Sequence, residues 1–156
     1  MNSNPMISKL AVLQLGSMLV WSGSVDAHLG SDLSSVRADS IVLHGVVRTT
    51  ALVEYDVHEI DAAAGLTVRE FVTRGGTVFA LSWAGPVPPD LQLLLGNYFG
   101  AYAAGLAALK SSGRNRSVRV ELTDLIVESG GHLRAYSGRA YLPALMPAGV
   151  SIADLR

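Results

Sequence analysis

Apolar and polar residues alternate over Val53–Ile60, with Val53, Tyr55 and Val57 on one side and Glu54, Asp56 and His58 on the other. A period of two is that of a half-buried strand. The same period returns in Leu66–Thr73 and Thr77–Trp83, and Gly75-Gly76 between them suits a two-residue hairpin turn, which demands positive φ. With Arg74 opposite Thr77, that turn predicts the pairs Val72–Phe79, Glu70–Leu81 and Val68–Trp83. Setting Val57 against Val68 then adds Tyr55 and Val53 to the apolar row and places Asp56 beside Arg69 and Ser82 on the opposite face.

The period changes after Pro88-Pro89. Asp90 is placed to begin a helix, and from Leu91 to Leu109 no residue is charged. Leu91, Leu94, Leu95, Tyr98, Tyr102, Leu106 and Leu109 form one helical stripe, with the small residues Gly96, Gly100, Ala104 and Ala107 on the other side. Strand character returns over Val118–Glu128 and Leu133–Leu142, with Gly130-Gly131 read as a second tight turn. Ser31–Leu43 suits a first helix capped by Ser31 or Asp32, although Ile41-Val42-Leu43 equally suits the opening of a strand. Together these elements predict an α+β fold: an antiparallel sheet of about five strands, in the order β-β-β-α-β-β, packed on one long helix over Asp90–Leu109. An extra N-terminal helix completes the expectation.

The start of the chain reads as an address. Lys9 precedes the apolar run Leu10–Trp21, and a small, polar stretch ends in Val25-Asp26-Ala27, the pattern of a secretory signal peptide over residues 1–27. The run is shorter than the roughly 20 residues a spanning helix needs. Residues 28–156 then form a single domain, periplasmic or secreted, with no membrane span after cleavage. Gln92, Asn97 and the helix glycines dilute Leu91–Leu109 below the hydropathy of a span.

Composition narrows the chemistry. Of the 156 residues, 49% are hydrophobic and 16% charged, which supports a packed core and argues against disorder. A net charge of −1 is unsuited to general nucleic-acid binding. There is no cysteine, so disulfides, thiolate nucleophiles and cysteine-ligated metals are excluded. The chain has no G-x-S-x-G, S-x-x-K, H-E-x-x-H, phosphate-binding or G-x-G-x-x-G motif, and no cofactor is expected.

A few residues remain as candidates. Glu70 falls in an apolar row beside Tyr55, which suits either a strand-end carboxylate reaching water or the tyrosine, or an acid–base group of shifted pKa. Asp56 and His58 share a strand face, where they would serve as a second acid–base pair or as two metal ligands if a third came from elsewhere. His28, at the N-terminus left by cleavage, would offer an amine and a ring to a metal. Trp83, Tyr98 and Tyr102 would either fill the core or line a groove between sheet and helix. His132 and Arg134, near Glu128 at the second glycine turn, suit a small anion or a carbohydrate, or simply a solvated hairpin tip. Arg114 and Arg116 in the polar loop Ser111–Ser117 suit a phosphate or an acidic glycan.

Several stretches are similar to a known family. They include Glu54-Tyr55-Asp56-Val57-His58-Glu59, then Val78-Phe79-Ala80-Leu81-Ser82-Trp83-Ala84-Gly85-Pro86, then Leu94-Leu95-Gly96-Asn97-Tyr98-Phe99. The closing stretch runs from Glu128-Ser129-Gly130-Gly131-His132-Leu133 to Ala140-Tyr141-Leu142-Pro143. Across the mature chain these resemble a domain-of-unknown-function family of short exported proteins from Gram-negative bacteria. The resemblance implies an exported, stand-alone domain and carries no activity with it. The expected function is a non-catalytic envelope module that binds a partner protein or envelope component, or pairs as a homodimer. The alternative is a small periplasmic hydrolase using Glu70 or Asp56 and His58.

Overall fold

The computed structural model describes residues 29–32, 45–110 and 117–156. The signal peptide, residues 33–43 of the first helix, His28, His44, Arg114 and Arg116 all lie outside the described residues. The described part is dominated by one antiparallel sheet of seven strands. In chain order these are β1 Val46–Ala51, β2 Tyr55–Asp61, β3 Thr67–Thr73, β4 Val78–Gly85, β5 Ser117–Glu121, β6 Ile126–His132 and β7 Ala135–Tyr141. Their order across the sheet is β1-β2-β3-β4-β7-β6-β5. Between β4 and β5 lie the short helices α1, Leu91–Leu95, and α2, Phe99–Lys110.

This corrects the expectation of about five strands on one long helix. Three local causes account for the difference. The edge strand β1 is exposed along most of its length, so it carries no alternation for a burial pattern to reveal. The stretch expected as a single strand over Val118–Glu128 turns back on itself, where Leu122 N–H donates to the carbonyl of Leu125 at 2.8 Å, and so yields β5 and part of β6. The helix begins as expected at Asp90, whose carboxylate accepts from Gln92 N–H at 2.9 Å and Leu93 N–H at 3.1 Å. It then breaks at Gly96, whose φ of 49° and ψ of −120° lie outside the helical region. Among the described residues no helix is long and apolar enough to cross a membrane.

The registers also differ in part. Val68–Trp83 and Glu70–Leu81 pair as expected. Thr73 rather than Arg74 stands opposite Thr77, to whose carbonyl its N–H donates at 2.9 Å, so the loop is three residues, 74–76. A β-bulge between Phe71 and Val72 makes up the difference, and Val72 faces Val78. The extra residue is Phe79, and the bulge turns Phe79 and its neighbour Ala80 to the same side. On the other flank Val57 pairs with Phe71 rather than Val68, and Ile60 takes the place beside Val68. An odd slip exchanges the two faces of a strand. His58 therefore lies inside, opposite Glu70, and Asp56 pairs with Arg74 instead of Arg69. The second hairpin turns at Leu133-Arg134, with Arg134 at φ 68°, rather than at Gly130-Gly131, which remains within β6.

Each face of the sheet has its own core. Against the helices pack Ile60, Val68, Val72, Val78, Leu81, Trp83, Val127 and Ala140, together with Leu94, Leu95 and Tyr102. On the opposite face Tyr55, Phe71, Phe79 and Tyr141 gather under Leu155, Met146 and Val150 of segment 142–156. Tyr55 meets Phe79 edge-on at a ring separation of 5.7 Å, a favourable geometry for aromatic quadrupoles. This second core covers only the half of the face nearest the β1–β2 turn. The other half is polar.

Candidate functional site

The polar half is organised by strand register. Arg48, Glu59, Arg69, Ser82, Arg139, Glu128 and Arg119 are successive register partners across all seven strands, one from each. Since neighbouring strands lie about 4.8 Å apart, these side chains form a straight row perpendicular to the strands. The sequence of charges is the same read from either edge: arginine, glutamate, arginine, serine, arginine, glutamate, arginine.

The charges in the row hold one another. Glu59 accepts from Arg48 at 3.0 Å and from Nε of Arg69 at 2.6 Å. Glu128 accepts from Nε of Arg139 at 2.6 Å and also pairs with Arg119. A further nitrogen of Arg139 donates to the carbonyl of Ile152 at 2.8 Å, tying segment 142–156 to the sheet. Burial works to raise the Glu128 carboxyl, but hydrogen bonds and charge from Arg139 and Arg119 hold it below its usual range.

Beside the Ser82 side of this row opens a groove of about 1450 Å³, at the end of the sheet where β4 and β6 finish and β5 and β7 begin. One set of lining residues is polar and comes from the row: Arg69, Ser82, Arg139, Glu128 and Arg119. A second set is apolar and comes from the helix side: Trp83, Leu106, Leu109 and Val118. Gly138 allows this arrangement. A Cβ there would come within 2.3 Å of Cζ2 of Trp83 and 2.6 Å of the Glu128 carbonyl oxygen.

The sequence candidates fall in different places. Trp83 lines the groove while lying only 4% exposed. Tyr102 is buried in the helix-side core, and Tyr98 packs partly buried against it. His132 and Arg134 stand exposed at the β6–β7 turn and do not line the groove. Glu70, 1% exposed, and His58, 8% exposed, are register partners inside the helix-side face. His58 Nδ1 shares a 2.8 Å hydrogen bond with the Thr49 hydroxyl, and its Nε2 is buried with no hydrogen-bond partner among the described residues. Burial pushes the His58 imidazole below its ordinary pKa, against the opposing charge of Asp56. Asp56 itself accepts from Arg74 at 2.9 Å. Among the described residues no group of three His, Asp or Glu side chains converges as a metal site.

The row itself was missed by sequence reasoning. Its only signal is a charged residue at one level of every strand but the fourth, and a correct register is needed to see it. Arg69 and Ser82 were placed side by side, and that much of the row was legible.

No curated protein and no solved structure matches the chain. The family model described as "Protein of unknown function (DUF2844)" matches residues 25–155, which takes in every strand of the sheet and both linings of the groove. The chain therefore belongs to the DUF2844 family.

Proposed function

We propose that this chain is an exported, non-catalytic module that binds a partner or a component of the cell envelope in the groove beside the arginine row. The observation that carries the reading is the construction of that groove. Glu128 is tied to Arg139 and Arg119, Glu59 to Arg69, and round the end of the sheet an apolar lining from the helix side joins this charged one, as in a recognition surface. Residues suited to general acid–base chemistry lie elsewhere. Glu70 and His58 are inside the helix-side face, and Asp56 is paired with Arg74. Export rests on the signal-like pattern of residues 1–27.

Site-specific photo-crosslinking in living cells tests the reading. A photoreactive amino acid at Ala84 or Ser137, both exposed and both lining the groove, should give a discrete adduct. The same group at Glu54, exposed near the opposite end of the sheet, should not. Adducts at Glu54 alone, or none at the groove positions in repeated trials, would overturn the assignment.

A further inference from the structure

The row alternates in sign except at its centre. From either edge it runs arginine, glutamate, arginine, and the place where the next acid belongs is taken by Ser82. Arg69 and Arg139 thus flank a neutral residue, two strand spacings or about 10 Å apart. The two arginines are differently engaged. Arg139 is fixed by Glu128 and by the Ile152 carbonyl, whereas Arg69 spends only its Nε on Glu59 among the described residues. The two terminal nitrogens of Arg69 and the Ser82 hydroxyl remain as donors. The guanidinium fork is matched to the oxygens of a carboxylate or a phosphate.

The surroundings carry the same sign. Arg69, Arg119, Arg139 and Arg156 line the groove with Glu128 as the only carboxylate side chain among its lining residues, although the whole chain has a net charge of −1. The remaining wall is of another kind. Trp83, Leu106, Leu109 and Val118 are apolar, and no charged residue occurs from Leu91 to Leu109.

We infer that the groove receives an anionic amphiphile, whose carboxylate or phosphate head supplies the missing negative charge over Ser82 between Arg69 and Arg139, and whose acyl chain passes over Ala84 and Ser137 and round the end of the sheet to the apolar lining of Trp83, Leu106 and Leu109 on the other face. This rests on the proposal that the groove is the binding site and names the class of ligand it takes.

The test uses the full chain in a Trp21→Phe background, which leaves Trp83 as the only indole. Dodecanoate and dodecyl phosphate, each kept below its micelle concentration, should change Trp83 emission saturably. Arg69→Gln should raise the apparent Kd at least about tenfold, as loss of a charge-assisted hydrogen bond does. Ser82→Asp should do the same by filling the gap in the row with the protein's own carboxylate. Arg69→Gln is the safeguard on folding, because Arg69 is partly exposed and its removal empties no core position. An equal response to neutral dodecyl maltoside, or an unchanged Kd in Arg69→Gln, overturns the inference. So does saturation by inorganic phosphate alone, or binding to phosphatidylglycerol vesicles without binding to the monomeric probes. Groove adducts in cells with no response to the amphiphiles would refute the ligand class alone. Absence of those adducts would refute the binding site beneath it.

Discussion

The indole of Trp83 lies directly on Gly138, its register partner on β7, so closely that a single methyl group would overlap it. The same methyl would also press on the Glu128 carbonyl oxygen across the β6–β7 ladder. Neither neighbour is the end of a flexible chain. Gly138→Ala should therefore destabilise the fold by about 3 kcal/mol, the upper range for overpacking a rigid site. Urea denaturation of the variant and the parent measures it, and a loss under about 1 kcal/mol would show that Trp83 can move aside.

His58 gives the fold a pH dependence of known sign. Its imidazole is held below the ordinary value of 6.5 by burial, so the unfolded chain takes a proton there more readily than the folded one. Stability from this group is complete above that value and falls as the pH drops toward the folded pKa. The melting temperature should therefore decline between about pH 7.5 and about pH 5.5, a window above the carboxylates of Glu128 and Asp154. His58→Asn, which keeps a polar atom for the Thr49 hydroxyl, should flatten that decline. An unchanged slope in the variant would assign the effect to another group.

Glu70 separates a structural from a chemical role. It is 1% exposed, between Leu81 and His58 in register, and does not line the groove. Glu70→Ala removes a buried, polar side chain and leaves space behind, so a loss of about 2–4 kcal/mol is expected by thermal or chemical unfolding. Photo-crosslinking from Ala84 and Ser137 should be unaffected by the milder Glu70→Gln. Loss of those adducts with an unchanged melting temperature would instead place Glu70 in the working site.

The pair between Glu128 and Arg139 should be measurable yet modest. Both side chains keep about a quarter of their surface exposed, 26% and 28%, so solvent screens the attraction. A double-mutant cycle with Glu128→Gln and Arg139→Gln should give a coupling of about 1 kcal/mol, smaller in high salt. A coupling indistinguishable from zero at low salt would mean that the row is held by the backbone register alone.

Much of the sheet was legible because turn chemistry and strand period are local. Val68 faces Trp83 and Glu70 faces Leu81 as read, although the turn is a three-residue loop over 74–76 with Thr73 opposite Thr77, because the bulge offsets the difference by one residue. Asp90 caps the helix start as read. The bulge at Phe79 was not legible, since Phe79 and Ala80 read as ordinary alternation until the ladder is seen to skip one residue. The β2–β3 register failed for a related reason. β2 offers one valine, Val57, against two in β3, Val68 and Val72, and the connection through Ala63–Gly65 is a 3-10 turn without a fixed loop geometry to count from. The wrong register then hid the site. Asp56 was set beside Arg69, where Glu59 in fact stands, and His58 was placed on the outer face rather than against Glu70.

The palindromic order of the row has a consequence for solubility. Because it reads the same from both ends, β1 and β5, which among the described residues have a strand neighbour on one side only, each present an arginine at that level, Arg48 and Arg119. Two copies approaching strand to strand at that level bring like charges together, whichever edges meet. An uncovered sheet edge is a template for fibre growth, and cationic side chains on such edges are a standard protection against it. The row that supplies one wall of the groove thus also sets a charge on each margin of the sheet, at the level where a second copy would have to pair.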